Sequence, residues 1–292
     1  MTHLIPPEGR GFFYRIVEIE LKNRSKLDPK ESIESQSDDF FGLEQYFSIL
    51  GLAALDLQLP ATSVQHLFAE SGVAGMLAVR GEEDVPPIDQ LKTFFGLFLA
   101  GDAKRLVEHS EKVVEIGSGK KRSEDPHVQG LALALAASVL DDSRLVKAAL
   151  GQAAQAAAKI TKPRSRQGWA VSMNALAEAA LLSKPVDLSA GLKQVAQDTR
   201  AWFGRASDIE DQNFESYLAR MPLAFAARAR ARGFKLPKTN PHPCMVMSIL
   251  ELEPMKPLTH PWHKFSQPDA KLVKAFAKAL ALEDAEPAKG KH

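Results

Sequence analysis

Apolar positions along this chain recur at spacings of three and four, and strict alternation of apolar and polar residues is nearly absent. The first period lines one face of a helix and the second one face of a strand, so the pattern predicts an all-α fold. Helices are expected over roughly 40–58, 62–80, 88–100, 102–116, 126–140, 143–160, 164–183, 189–204, 211–232 and 268–283. Residues 12–22 read two ways. Phe13, Val17, Ile19 and Leu21 alternate as in a strand, whereas Phe13, Ile16, Val17 and Leu21 share a helix face. Helix is preferred, because no second strand is present to pair with this one.

Local signals agree with the periodicity. Between residues 131 and 180, 16 of 50 positions are alanine, the residue of lowest helix cost. Asp102 and Ser143 each precede an amphipathic run and can accept from the free N–H groups of a first turn, and Pro86-Pro87 sets φ ahead of Ile88. Gly81 and Gly233 stand where a left-handed residue would end a helix, while Gly101 and Asp141-Asp142 mark tight turns. The stretches Gly101–Val107 and Leu140–Val146 superpose at an offset of 39, each bridging two helical patterns. The repeating unit is a helical hairpin, but one good echo does not make a regular array. The expected architecture is therefore an irregular, solenoid-like stack of antiparallel helical hairpins, a single domain over 1–283. Within it, 234–267 is Pro-rich and irregular, and 284–292 forms a disordered tail.

Composition narrows the functional classes. At 292 residues, 45% hydrophobic and 25% charged, the chain can bury a core without staples. Its one cysteine, Cys244, excludes an intramolecular disulfide and any multi-cysteine metal cluster, which is consistent with a reducing compartment. A net charge of +1 gives no overall field toward nucleic acid or an anionic membrane. The first residues lack the basic and apolar regions of a signal peptide, and the longest uncharged apolar stretch, Gly130 to Leu140, is too short to span a bilayer. A cytoplasmic protein with no transmembrane helix is expected.

Catalytic and cofactor motifs fail on inspection. Gly117-Ser-Gly119-Lys120-Lys121 resembles a phosphate-binding loop, but Val114 replaces its first glycine, Lys121 its Ser or Thr, and a helix its strand. His260 and His263, with His242 and Cys244 nearby, suggest metal ligands, yet they lie in proline-rich loops whose spacing fixes no geometry. Neither G-x-S-x-G nor H-E-x-x-H occurs, and Cys244 beside His242 reads equally as packing or as a reactive thiol. Glu178, within an apolar run, is read as a solvent-facing helix edge. A non-enzymatic protein with no cofactor and no metal follows as the expectation.

Local charge is more informative. Residues 28–44 hold six acids against Lys30 alone, and 82–84 form a second acidic loop. Glu31, Glu34, Asp38, Asp39, Glu44, Glu82, Glu83 and Asp84 are thus the candidate partner-binding residues, suited to a basic protein. Arg228, Arg230, Arg232, Lys235 and Lys238 run without an intervening acid, but they close a helix where cations favour its negative end and lack interleaved aromatics.

Three segments resemble the immunity protein 49 family of bacterial polymorphic-toxin systems. They are the small-residue helix Thr62–Ala78, the run Leu91–Asp102 with its following Arg-Leu helix, and Phe214–Phe234, ending in a glycine turn. The resemblance spans about 40–250 and implies an all-α protein that neutralises a cognate toxin by binding it; it transfers no catalytic residue. The expected function is that of an immunity protein. The alternative is a helical-hairpin scaffold that binds peptides or proteins in an assembly, and small-residue faces would serve a homodimer as readily as a core.

Overall fold

The computed structural model describes residues 4–22, 24, 26–82, 85–119, 123–182, 188–204, 215, 217–253, 255, 261 and 264–285. Among them are twelve α-helices and no strand. They are α1 (Pro7–Lys22), α2 (Ser37–Asp56), α3 (Ala61–Gly81), α4 (Pro87–Ala100), α5 (Ala103–Ser118), α6 (Pro126–Val139), α7 (Ser143–Ala157), α8 (Arg164–Leu182), α9 (Ser189–Phe203), α10 (Arg220–Ala231), α11 (Met247–Glu251) and α12 (Ala270–Ala285).

Each helix from α2 to α9 packs on the next in sequence. The turns α2–α3, α4–α5 and α6–α7 have only two to four residues, and α2–α3 and α6–α7 pack extensively as helical hairpins. The late helix α10 breaks this order by wedging between α4 and α8, and α1 packs against α12. The buried apolar side chains accordingly form one cluster from Ile5 to Phe276. At its centre, α3 is buried at every position from Val64 to Val79 except His66. A helix covered all round needs small residues wherever a neighbour comes close. A Cβ on Gly72 would stand 2.4 Å from the Gly96 carbonyl carbon, and one on Gly96 2.3 Å from the Phe68 carbonyl oxygen. The α3 and α4 backbones touch there.

Several local expectations hold. Residues 12–22 lie within α1, with Phe13 and Val17 buried and Ile19 53% exposed, which a strand placing Ile19 on the face of Val17 would not give. Asp102 Oδ1 accepts from Arg105 N at 3.2 Å, α4 begins at Pro87, and Gly101 (φ 64°) and Gly233 (φ 87°) are left-handed. Other expectations are corrected. The cap of α7 is Asp142, accepting from Leu145 N at 2.9 Å, and Ser143 is already helical. The hairpin echo therefore has a register of 40: left-handed Gly101 matches Asp141 (φ 57°), and cap Asp102 matches Asp142. Gly81 is the last residue of α3 without a positive φ, and its missing Cβ admits Ser37 instead.

The expected helix 211–232 is α-helical from Arg220, with Glu215 in a 3-10 conformation, 217–219 non-helical, and 211–214 and 216 outside the described residues. Pro222 explains the late start: proline fits the first turn of a helix but clashes and loses a hydrogen bond in its interior. The Pro-rich stretch is not wholly irregular, since it contains α11, whose Met247 N donates to Asn240 Oδ1 at 2.8 Å. Asp284 and Ala285 close α12; the rest of the expected tail, 286–292, lies outside the described residues.

Gly72→Ala is expected to destabilise the protein by about 3 kcal/mol, as overpacking of a rigid contact does. Gly151→Ala, on α7 with nothing within 4 Å of the added Cβ, should stabilise it by about 0.5–1 kcal/mol through helix propensity. Urea unfolding of both variants checks the contrast, and equal effects would contradict a backbone-to-backbone crossing.

Candidate functional site

Two polar regions organise the face built by α2, α3 and α10. The first is internal. Arg220 opens α10 in the core, and its side chain is only 8% exposed. A cation is disfavoured there twice, by burial and by the positive end of its own helix. The chain answers with carboxylates from two distant segments. Arg220 Nε donates to Glu215 Oε1 at 2.9 Å, and Nη1 donates to Glu44 Oε1 at 3.0 Å and to Ser48 Oγ at 2.6 Å. Ser48 Oγ donates to Glu44 Oε1 at 2.9 Å and lies 2.8 Å from Ser71 Oγ on α3. Glu215 Oε2 also takes Met221 N at 3.4 Å, so one carboxylate serves both the guanidinium and the free N–H groups of the first turn of α10. Burial works against the charge on Arg220, but Glu215 and Glu44 outweigh it and hold its pKa above the ordinary arginine value.

The second region is the acidic rim. Gln36, buried, gathers the loop before α2: its Nε2 donates to Asp28 O at 3.0 Å and Ser32 O at 3.2 Å, and its Oε1 accepts from Asp28 N at 2.7 Å. Ser37 Oγ then donates to Glu82 Oε1 at 2.8 Å, joining the start of α2 to the end of α3. Glu31, Glu34 and Asp38 are exposed on this rim, and Asp39 and Glu82 are half-buried. Asp38 and Asp39 occupy the first turn of α2, where the helix dipole favours acids. Bonds from its own backbone N–H and from Ser32, with the charge of Arg80, hold Glu34 below the usual carboxylate range. Of the remaining candidates, Glu44 is bound to Arg220 instead of standing with them, and Glu83 and Asp84 lie outside the described residues.

Cys244 is 1% exposed; burial and the nearby Glu215 push its thiol up to about 12, leaving almost no thiolate. Its Sγ lies 3.1 Å from His242 Nδ1. His260 and His263 lie outside the described residues, and no group of three metal-ligating residues occurs among the described ones. Gly119 sits at the C-terminal end of α5, where free carbonyls rather than N–H groups face out, and Glu178 is exposed. Arg228 donates to Ser138 Oγ at 2.9 Å and to Ser138 O, Arg230 to Leu252 O and Glu251 O, and Arg232 to Ala180 O. These arginines close the ends of α6, α11 and α8, while Arg228 and Arg230 stand in the last turn of their own helix and Arg232 is its C-cap.

Arg220 and Glu215 escaped the sequence reading. The available signal was a lone arginine within Leu218-Ala-Arg-Met-Pro-Leu-Ala-Phe225, a charge interrupting an apolar run. No family model, no curated protein and no solved structure matches this chain.

Arg220→Met should cost about 3–5 kcal/mol, because it leaves Glu215 and Glu44 facing a buried site without their cation. The triple variant that also carries Glu215→Gln and Glu44→Gln should recover much of that loss, as read by thermal unfolding. A second test concerns His109 on α5, wholly buried, with Nε2 3.0 Å from Gln90 O and Nδ1 lacking a partner. Burial lowers its pKa from 6.5 to about 4. The stability conferred by the neutral ring is complete above pH 6.5 and is lost as pH falls through 4, by up to about 3 kcal/mol. His109→Gln should flatten that part of the stability–pH curve relative to the parent protein.

Proposed function

We propose that this chain is a non-catalytic binding protein that docks a basic protein partner on the acidic rim. More specifically, we infer an immunity protein that neutralises a cognate toxin in the cytoplasm of the bacterium producing it. The observation that carries the reading is the Ser37–Glu82 hydrogen bond of 2.8 Å, which brings Glu82 onto one rim with the first acidic stretch. Glu31, Glu34, Asp38 and Glu82 then form a local field on a chain whose net charge is only +1. Such a field accelerates encounter with an oppositely charged partner and selects against like-charged ones. The resemblance of 62–78, 91–102 and 214–234 to the immunity protein 49 family supports the toxin as that partner. No helix among the described residues is long and apolar enough to cross a membrane, in keeping with that location.

Co-expression with the product of the neighbouring reading frame tests this function. The parent chain should rescue growth and retain that single product, whereas a general scaffold would retain several. The variant Glu31→Lys, Glu34→Lys, Asp38→Lys, which leaves the Ser37–Glu82 bond in place, should associate about tenfold more slowly at low salt, with a much smaller change in dissociation, and should protect less well. Unchanged association and protection would remove the rim from the mechanism.

A further inference from the structure

We propose that the cavity between α3 and the start of α12 binds a small organic amine. It has a volume of about 220 Å³, roughly seven water volumes, which accommodates a one-ring molecule. Phe47, Leu67 and Leu272 supply apolar wall, and Ser63, His66 and Asp269 supply polar groups. The segment closing it is held from two sides. Arg24 donates to Phe265 O at 2.9 Å and Ser266 O at 3.0 Å, and Ser266 N donates to Glu70 Oε1 at 3.3 Å on α3. The cavity is therefore built into the packing and does not depend on a ligand to form.

Charge selects the ligand. None of the described lining residues is lysine or arginine, whereas Asp269 contributes an exposed carboxylate. Its Oδ1 accepts from Lys271 N at 2.9 Å. Behind the wall, the carboxyl of the fully buried Glu70 lies 3.6 Å from His66 Nε2. The cation beside the wall, Arg24, is engaged with two carbonyls and with the rings of Tyr46 and Phe47, 5.5 Å from each centroid. Lys264 and Lys271 are exposed and do not line the cavity. An ammonium at Asp269 with its apolar body against Phe47, Leu67 and Leu272 satisfies both halves of the site. The inference is independent of the protein partner at the acidic rim.

Phenethylamine, 2-phenylethanol and phenylacetate differ chiefly in charge and serve as probes of the full-length chain by calorimetry, with the His66 ring followed by NMR. The amine should bind about tenfold more tightly than the carboxylate and shift the His66 signals, with the alcohol between them. Asp269→Asn keeps a side chain able to cap α12 and should erase most of that preference. Ser63→Trp should fill the cavity and weaken all three probes, with the fold of each variant verified by circular dichroism. Failure of the amine to bind, equal binding of the three probes, or amine binding insensitive to both variants would overturn the proposal.

Discussion

A guanidinium without water must find carboxylates, and Arg220 finds them in two parts of the chain far apart in sequence. Glu44 and Ser48 come from α2, and Glu215 from the segment leading into α10. Removing one member of such a group leaves an uncompensated charge in a medium that barely screens it, so its members fix one another's positions. The consequence reaches beyond the ion pair. With its first residue pinned to α2, α10 lies between α4 and α8, and its C-terminal end carries Arg228, Arg230 and Arg232 to the ends of α6, α11 and α8. One buried cation thus positions the helix that closes an otherwise sequential stack.

The second constraint is steric. Because the α3 and α4 backbones meet at Gly72 and Gly96, the crossing leaves no room for a side chain at either position. Close approach gives dispersion contacts along both helices. The α6–α7 hairpin repeats the device more mildly: a Cβ on Gly130 would stand 2.9 Å from both the amide nitrogen and the Cβ of Ala153. The alanine-rich middle of the chain is therefore a packing requirement as well as a helix propensity.

What could be read from the sequence was whatever acts over one helical turn. Periodicity placed most helices, Asp102 announced its cap, and Gly101 and Gly233 their left-handed backbones. Errors of one position arose where neighbours compete for one role, as Asp142 and Ser143 do for the cap of α7. The longer miss, the start of α10, came from giving an apolar pattern precedence over Pro222. Side-chain roles across the fold were largely hidden. Arg228, Arg230 and Arg232 fit a helix end by spacing, but nothing local says that their partners are the carbonyls of three other helices. Glu44 looks like its acidic neighbours, and only α10 distinguishes it.

That distinction divides the candidate site into residues that hold the fold and residues available to a partner. Glu44 is tied to a buried cation, so altering it disturbs the packing of α2 and α10 together. Asp38 stands in the first turn of α2, where its stabilising effect is a dipole interaction of about 0.3–1 kcal/mol. Ser37 and Gln36, rather than the acids themselves, hold the rim in place through Glu82 and the Asp28 and Ser32 carbonyls. The exposed acids can thus change without taking the scaffold with them. Surface charge on a rigid frame can follow a partner through evolution at small cost to stability, whereas the Arg220 centre can change only as a unit.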